Sequence, residues 1–253
     1  MTHTLFTAEF KQACREPGCP FCTLTQTDTE RYLRNLLYEY ALAPDIHARL
    51  ADAHGFCNAH AWLLQRVEWA MEKDGMGTAL LYGSVVERLR NDLTACLERN
   101  GGKRGHGKAV QGSAFAPAVR RHLQPEADCL ACEHQARMEQ FSTHQMVEHL
   151  AEAGTDTDLA HLYRASAGAC LPHFLALLEQ SLPDSVARWL TEVQLEKAAR
   201  LREDLDEYVR KHDVRYKHEP KGTEQDSWTR AIEQIAGRRE IPLYCSHKEG
   251  ARK

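Results

Sequence analysis

Two short motifs that suit metal binding each occur twice in the chain. A C-x2-C pair is found at CPFC and again at CLAC, and a G-x-C-x2-H motif follows each pair, at GFCNAH and at GACLPH. Thiolate sulfur and imidazole nitrogen are common ligands of Zn²⁺, and three cysteines with one histidine complete a tetrahedral site. The predicted metal ligands are Cys19, Cys22, Cys57 and His60 in the first half of the chain, and Cys129, Cys132, Cys170 and His173 in the second.

We expect two zinc ions, one for each half of the chain, because each half supplies a closed set of four ligands. Two iron–sulfur clusters on the same ligands are the alternative, since thiolate-rich sites also hold such clusters. An exchange of ligand pairs between the halves stays open. Structural zinc contributes about 10–16 kcal/mol of apparent binding free energy in zinc-finger peptides, so folding is expected to depend on the metal.

The spacing of the ligands predicts that they lie at the starts of helices. Pro20 and Leu130 each follow the first cysteine of a pair, and the N–H groups at a helix start favour thiolate over thiol. In the second motif the cysteine and the histidine are three residues apart, so they project from one helical face. Gly55 and Gly168 allow the close backbone approach that such a turn requires.

CPFC by itself also matches the active site of a glutaredoxin-type oxidoreductase. That reading requires a strand before the motif and a helix after it, within a βαβ-containing sheet. The preceding residues, EFKQACREPG, do not form a strand pattern, and the second copy, CLAC, lacks the proline. Buried, inert cysteines are a further alternative, because free cysteine is among the most buried residue types. Two copies of both motifs in the same order favour metal binding over both readings.

The similarity between the halves extends beyond the ligands. TERYLRNLLYEYA, from Thr29, aligns with MEQFSTHQMVEHL, from Met138, and DIHARLADAHGFCNAH, from Asp45, aligns without a gap with DLAHLYRASAGACLPH, from Asp158. A tandem duplication explains this agreement. Apolar residues recur at three- and four-residue spacing almost throughout, and no alternating strand pattern stands out. We therefore predict an all-α fold built from a duplicated helical unit, with one Cys3His metal site in each unit and a pseudo-two-fold arrangement.

The predicted domains follow the order of the repeats. Residues 1–99 form the first metal-binding helical repeat and residues 100–118 a flexible, glycine-rich loop. The second metal-binding repeat covers residues 119–213. A C-terminal tail, residues 214–253, contains a short helix, SWTRAIEQIAG, for which Gly237 is well placed as the terminating residue.

Acidic residues recur at matching positions of the two halves, namely Glu30 and Glu139, Glu39 and Glu148, and Asp45 and Asp158. The two glutamates of one half are nine residues apart and lie on opposite faces of a helix, which argues against a di-carboxylate metal site. We expect solvated or capping glutamates. The aspartates are expected to cap a helix rather than to accept a hydrogen bond from a ligand histidine.

The remaining cysteines and a basic segment are less informative. Cys14 is expected to be packed or free and Cys96 to lie in the core, while Cys245 with His247 forms an unpaired tail feature with a minor prospect of a third metal site. The basic cluster of segment 210–221 could contact phosphate groups, but interleaved acidic residues favour a solvated face. Its members are Arg210, Lys211, Arg215, Lys217 and Lys221, with Tyr208 and Tyr216 nearby.

Composition limits the classes of function. The 253-residue chain has 43% hydrophobic and 27% charged residues and a net charge of −4, which gives no general attraction to nucleic acid or to an anionic membrane. The absence of a long apolar run and of a signal-peptide pattern predicts no membrane association and a cytoplasmic location. Nine cysteines in a reducing compartment favour metal chemistry over structural disulfides.

The motifs also resemble a known family. CPFC followed by E-x-Y-L, then GFC-x-x-H, and later KHDVRYKHE and EQDSWTRAIEQIAG, is similar to an uncharacterised prokaryotic family, a domain of unknown function, from Cys19 to about Gly237. The resemblance implies a cytoplasmic bacterial or archaeal protein with tandem cysteine motifs and brings no activity with it.

Three functions stay open at this point. The first is a zinc-binding helical scaffold that acts as an interaction or regulatory module, with an unknown protein as the expected partner. The second is an iron–sulfur protein for electron transfer or redox sensing. The third is an enzyme with a pocket between the repeats, although the sequence contains no G-x-S-x-G, P-loop, dinucleotide or HExxH motif from which catalytic residues could be named.

Overall fold

The computed structural model describes residues 2–101 and 115–238. Within these ranges every regular element is a helix, which confirms the all-α prediction, and a 3₁₀ turn (Thr223–Asp226) precedes the last helix. The α-helices are α1 (Thr2–Ala13), α2 (Pro20–Glu39), α3 (Pro44–Asp52), α4 (Asn58–Glu72), α5 (Met76–Gly101), α6 (Phe115–His122), α7 (Leu130–Ala153), α8 (Asp158–Ala165), α9 (Leu171–Leu178), α10 (Asp184–Lys211) and α11 (Ser227–Ala236).

Side chains satisfy the exposed N–H groups at several helix starts. Thr157 precedes α8 and its hydroxyl accepts the N–H of Ala160 at 3.2 Å. Asp158, predicted to cap this helix, instead lies in its first turn, where its charge complements the helix dipole. The buried Glu68 of α4 accepts the N–H groups of Gly77 and Thr78 at the start of α5, at 2.5 and 3.0 Å. Each cap stabilises its helix by about 1 kcal/mol.

The chain forms two compact units. The first consists of Met1–Asp28 and Gln135–Lys253, and the second of Thr29–His134. The boundaries fall inside α2 and α7, so each unit takes residues from both halves of the chain. These units therefore differ from the predicted division into residues 1–99 and 119–213.

The core of the first unit is aromatic and surrounds the CPFC motif. Phe10, Phe21 and Tyr163 are fully buried, and the rings of Phe10 and Phe21 meet edge to face at 5.0 Å. The ring of Phe21 also stacks on the imidazole of His173 at 5.6 Å. Burial of each such phenylalanine contributes about 1.5–3 kcal/mol, so the core holds the predicted ligand histidine in place.

The core of the second unit is aliphatic and surrounds the CLAC motif. It is built from buried leucines of five helices, and Leu130 and Ala131, the two residues between Cys129 and Cys132, are part of it. The leucines are Leu33, Leu36, Leu50, Leu63, Leu64, Leu81 and Leu130. Both C-x2-C motifs are therefore anchored by the apolar residues that they enclose.

Two further observations bear on the sequence predictions. Among the described helices, none combines the length and apolar character needed to cross a membrane. Residues 102–114 of the predicted loop lie outside the described residues, and Phe115–Ala118 form the first turn of α6. Gly237 follows α11 with φ of +83°, which glycine adopts without strain, and its N–H donates to the carbonyl of Glu233.

Candidate metal centres

In the first unit, four soft ligands converge on one point. They are Cys19, Cys22, Cys170 and His173, and all four are buried. The sulfur of Cys22 lies 3.7 Å from the sulfur of Cys170, and the Nδ1 atom of His173 lies 3.1 Å from the Cys170 sulfur and 3.5 Å from the Cys22 sulfur. Within this cluster the ligand atoms are all less than 4.8 Å apart.

The second unit holds a matching group. It consists of Cys57, His60, Cys129 and Cys132, with the histidine buried and the cysteines half-buried. The Cys132 sulfur lies 3.6 Å from the Cys57 sulfur, and the Nδ1 atom of His60 lies 3.3 Å from each of these sulfurs. Both groups thus present a histidine through Nδ1.

These distances fit a single tetrahedral ion. With Zn–S of about 2.3 Å and Zn–N of about 2.0 Å, the edges of a zinc tetrahedron are about 3.8 Å between two sulfurs and about 3.5 Å between sulfur and nitrogen. The two sulfur–sulfur distances of 3.6 and 3.7 Å lie at this edge length, and are far above a disulfide bond. The donor set and its spacing therefore suit a thiolate-binding metal ion.

Every ligand pair stands at the start of a helix, as predicted. Cys57 and Cys170 immediately precede α4 and α9, and their carbonyls accept the first helical N–H, from Ala61 and Phe174, at 2.8 Å. In both cases the thiol makes no capping hydrogen bond within the described chain and is left to face the ligand group. The partial positive charge at a helix start stabilises thiolate, so two helix ends favour each site.

The ligand pairs are exchanged relative to the predicted grouping within halves. Cys19 and Cys22 join Cys170 and His173, and the other C-x2-C pair joins the first G-x-C-x2-H motif. Helix length explains the exchange. α2 has 20 residues and carries the chain about 30 Å away from CPFC, while the 9 residues of α3 return it by only about 13 Å. The 24-residue α7 and the 8-residue α8 impose the same constraint on the second half.

Two glycines bend the chain into the histidine-bearing helices. Gly55 and Gly168 have φ of +89° and +77°, a left-handed conformation that glycine adopts without strain. A Cβ atom on Gly168 would lie 3.1 Å from Cγ of Lys197, and one on Gly55 would lie 3.2 Å from Cε1 of Tyr82. The close approach predicted for both glycines is therefore confirmed.

A half-buried carboxylate faces the outer nitrogen of one candidate ligand histidine. Oε1 of Glu139 lies 3.9 Å from Nε2 of His173, which has no hydrogen-bond partner in the described chain. Burial raises the pKa of Glu139, and its carboxylate accepts a hydrogen bond from Gln135 at 3.0 Å. The prediction of a solvated or capping glutamate is wrong for Glu139. Its counterpart Glu30 is half-buried.

Proximity of the ligands shifts their pKa values in both groups. Burial alone would lower the pKa of His173, but the thiols of Cys170 and Cys19 outweigh it and raise the pKa to about 10. Burial would also lower the pKa of His60, but the thiols of Cys129 and Cys57 outweigh it and raise the pKa to about 9. Without metal, each group therefore retains a proton on its histidine. The clusters attract a cation, and a divalent ion competes with that proton.

The other cysteines do not join these groups. Cys14 is packed in the first core, where burial raises its pKa to about 12, so it is an inert thiol at neutral pH. Cys96 is buried, as predicted. Cys245 and His247 lie outside the described residues.

The basic segment is largely neutralised by its own surroundings. Arg210 pairs with Glu207 and Glu219, and Lys211 pairs with Glu224 at 3.0 Å. The guanidinium of Arg215 pairs with Asp213 at 2.7 Å and lies over the ring of Tyr216. Ion-paired cations have less charge to offer to phosphate groups, which agrees with the interpretation as a solvated face.

Comparison with known proteins identifies a family without an assigned activity. No curated protein and no solved structure matches the chain significantly. The family model that matches covers residues 1–241, and so includes both groups of metal ligands. The predicted resemblance to a domain of unknown function is thereby confirmed, and the chain belongs to the family of unknown function DUF6062.

Proposed function

We propose that this protein is a helical scaffold with two structural zinc ions, which serves as an interaction or regulatory module in the cytoplasm. The observation that carries the proposal is the convergence of three sulfurs and one imidazole nitrogen within 4.8 Å, twice in one chain. The cytoplasm is favoured because thiolate-rich metal sites persist in a reducing compartment. We also propose that the two halves arose by tandem duplication with a pseudo-two-fold relation, on the strength of their matching motifs.

The close spacing supports one ion per group rather than an iron–sulfur cluster. A [2Fe–2S] or [4Fe–4S] cluster distributes its ligands over several irons, which separates them more than ligands of one ion. Ligand atoms less than 4.8 Å apart leave little space for bridging sulfides. An iron–sulfur protein would be brown, whereas a protein that binds only zinc would be colourless.

Four protein ligands also support a structural rather than a catalytic metal. Catalytic zinc keeps one position for water or substrate, whereas structural zinc is closed by four side chains. The ligands of the first group are all buried, so solvent has little access to that position. This argument weighs against the enzyme alternative at these two sites.

An apolar row on α11 favours a role in protein binding. Trp228, Ile232 and Ile235 are spaced along one side of the helix, and all three are more than half exposed. Exposed aromatic and aliphatic side chains that form a row are typical of protein interaction surfaces. A protein partner is therefore preferred to nucleic acid, because the basic segment is already ion-paired.

Elemental analysis with a visible spectrum tests the metal assignment. Protein purified anaerobically should contain about two zinc ions per chain and should be colourless. Chelation should lower the midpoint of thermal unfolding, because the ions link helices that are remote in sequence. A brown protein that contains iron and sulfide would contradict the zinc assignment, and unfolding that is indifferent to chelation would contradict the structural role.

A matched pair of variants tests the interaction role. Ile232→Glu places a charge in the row on α11, and Leu195→Glu does the same at an exposed leucine on α10. The three chains are used to capture proteins from a cell extract. A protein that binds the unmodified chain and Leu195→Glu, but does not bind Ile232→Glu, would support a partner at this row. Identical retention by all three chains would contradict it.

A further inference from the structure

The last helix, α11, exposes apolar side chains to solvent and turns polar side chains towards the body of the protein. Its apolar residues Trp228 and Ile232 face solvent, while Arg230, Glu233 and Gln234 line a cavity in the first unit. An amphipathic helix normally packs its apolar stripe against the body of the protein and exposes its polar face. The inward polar face of α11 therefore needs a physical reason.

The cavity beneath α11 is small, with a volume of about 200 Å³, and polar and apolar atoms line it in similar measure. Sites for drug-sized ligands have about 300–1,000 Å³, so this one suits a small molecule or a small part of a larger one. The residues that give it its chemistry are Cys19, Ser166, Lys197, Arg200, Arg230 and Glu233.

Two of the three cations in the cavity make no hydrogen bond or close ion pair with a carboxylate, although Glu196 interacts electrostatically with both. Arg230 is neutralised by Asp204 and Asp226, at 2.8 and 2.7 Å. Arg200 makes no hydrogen bond or ion pair with any described residue, and Lys197 donates only to a backbone carbonyl, that of Arg164. Glu233 is the one carboxylate among the lining residues. The cavity therefore has an excess of positive charge.

The excess of positive charge in the cavity is destabilising because Lys197 is buried. The side chain is buried, and burial together with the neighbouring charge of Arg200 lowers the pKa of its ammonium group. Arg200 and Lys197 face one cavity and repel each other, and Glu196, the carboxylate that interacts with both, is already paired with Arg164. An anion placed between Lys197 and Arg200 would relieve both effects.

We propose that this cavity binds a small oxyanion, the carboxylate or phosphate group of a small molecule, between Lys197 and Arg200. Arginine presents its N–H donors in a planar fork that matches the oxygens of either group, and lysine adds a compact charge. Ser166 lines the same cavity, and the polar face of α11 closes it.

A different role for these cations makes a separate prediction. Cys19 lines the cavity and also belongs to the metal group, so Lys197 and Arg200 could serve only to offset the charge of metal-bound thiolates. In that case loss of the Arg200 charge would reduce metal retention and leave oxyanion binding absent or unchanged. Metal content and oxyanion binding are therefore both measured.

The experiment is calorimetric titration of the full, metal-loaded chain with inorganic phosphate and, separately, with acetate, with chloride at equal ionic strength as the blank. We expect saturable binding of at least one of the two oxyanions. Arg200→Gln should weaken it about tenfold or more, because charge-assisted hydrogen bonds are lost. The matched control is Arg202→Gln, which removes the same charge from an exposed residue of α10 paired with Asp206. It should bind as the unmodified chain does.

A second variant tests whether negative charge in the cavity opposes oxyanion binding. It leaves the hydrogen-bond donors of Lys197 and Arg200 in place. Glu233→Gln deletes the carboxylate of the cavity, so oxyanion binding should become several-fold tighter. The proposal is overturned if phosphate and acetate both behave like chloride, if Arg200→Gln and Arg202→Gln weaken binding equally, or if Arg200→Gln loses metal with oxyanion binding unchanged. Because Arg200 is exposed, its substitution leaves the fold intact.

Discussion

The sulfur atoms of Cys22 and Cys170 lie 3.7 Å apart, although 148 residues separate them along the chain. An ion that binds both joins the N-terminal segment to the start of α9. The other metal group joins Cys57 to Cys132 in the same manner, at 3.6 Å. Metal binding at these sites therefore closes long loops of chain, which removes much of the conformational freedom of the unfolded state.

The exchanged ligand pairs can be tested by thiol labelling. In Cys170→Ala the first group loses one ligand, and its ion should be released because three ligands bind it more weakly. Cys19 and Cys22 should then react with iodoacetamide, while Cys129 and Cys132 stay protected by their own ion. Mass spectrometry of the labelled peptides identifies which cysteines have reacted.

The mirror variant, Cys57→Ala, is the control for this labelling experiment. It should expose Cys129 and Cys132 and leave Cys19 and Cys22 protected. The opposite pattern in the two variants would mean that the ligands group within each half of the chain, and would contradict the geometry described here.

Glu139 should influence metal affinity without binding the ion. When Nδ1 of His173 binds a metal, Nε2 carries a proton, and the nearest carboxylate is that of Glu139, at 3.9 Å. Loss of a carboxylate that interacts with the far nitrogen of a ligand histidine weakens metal binding about 10–100-fold. We expect Glu139→Gln to release one of the two ions to a competing chelator at a lower chelator concentration. Glu152→Gln, an exposed change on the same helix, should have no effect.

Metal affinity should fall as the pH is lowered. The thiols around His173 raise its pKa to about 10, and the Cys170 and Cys19 thiols raise that of Cys22, so both are protonated in the metal-free chain at neutral pH. Binding must displace these protons, about two or more per ion at this group. Titration of metal-free chain in two buffers with different heats of ionisation counts them. A metal affinity that does not change between pH 6 and pH 8, or no proton release, would contradict this prediction.

Alanine at Gly168 should be more harmful than alanine at another left-handed glycine. Both Gly168 and Gly154 have positive φ, so alanine is strained at either by about 1–2 kcal/mol. Only at Gly168 would the new Cβ also press on Lys197, at 3.1 Å, whereas nothing lies within 4 Å at Gly154. We expect Gly168→Ala to lower the free energy of unfolding further and to reduce metal content. If chemical denaturation gives Gly168→Ala and Gly154→Ala the same loss of unfolding free energy, backbone strain alone explains the destabilisation.

Most of the local structure follows from local sequence patterns. The spacing of apolar residues predicted the long helices, and proline after cysteine placed the start of α2 at Pro20. A cysteine and a histidine three residues apart predicted one helical face, and both pairs do lie at helix starts. These features depend on neighbouring residues, which is why one sequence is enough to predict them.

The environment of single side chains was less predictable. Glu139 was expected to be solvated or to cap a helix, yet it is half-buried and faces His173. The residues that line the cavity beneath α11 come from segments as distant as Gly18 and Arg230. No spacing rule connects such residues, because their proximity depends on how several helices pack.

The sequence by itself predicted the eight candidate ligands, their positions at helix starts and the all-helical class, because each depends on residue type and short spacing. Only the tertiary structure decided which candidate ligands lie together. The deciding factor is the length of α2 and α7, which carry each C-x2-C pair about 30 Å or more from the histidine motif that follows it in the chain. The short helices that come next, α3 and α8, return the chain by only about 12–14 Å. Each cysteine pair therefore completes its site with the cysteine and histidine of the other half.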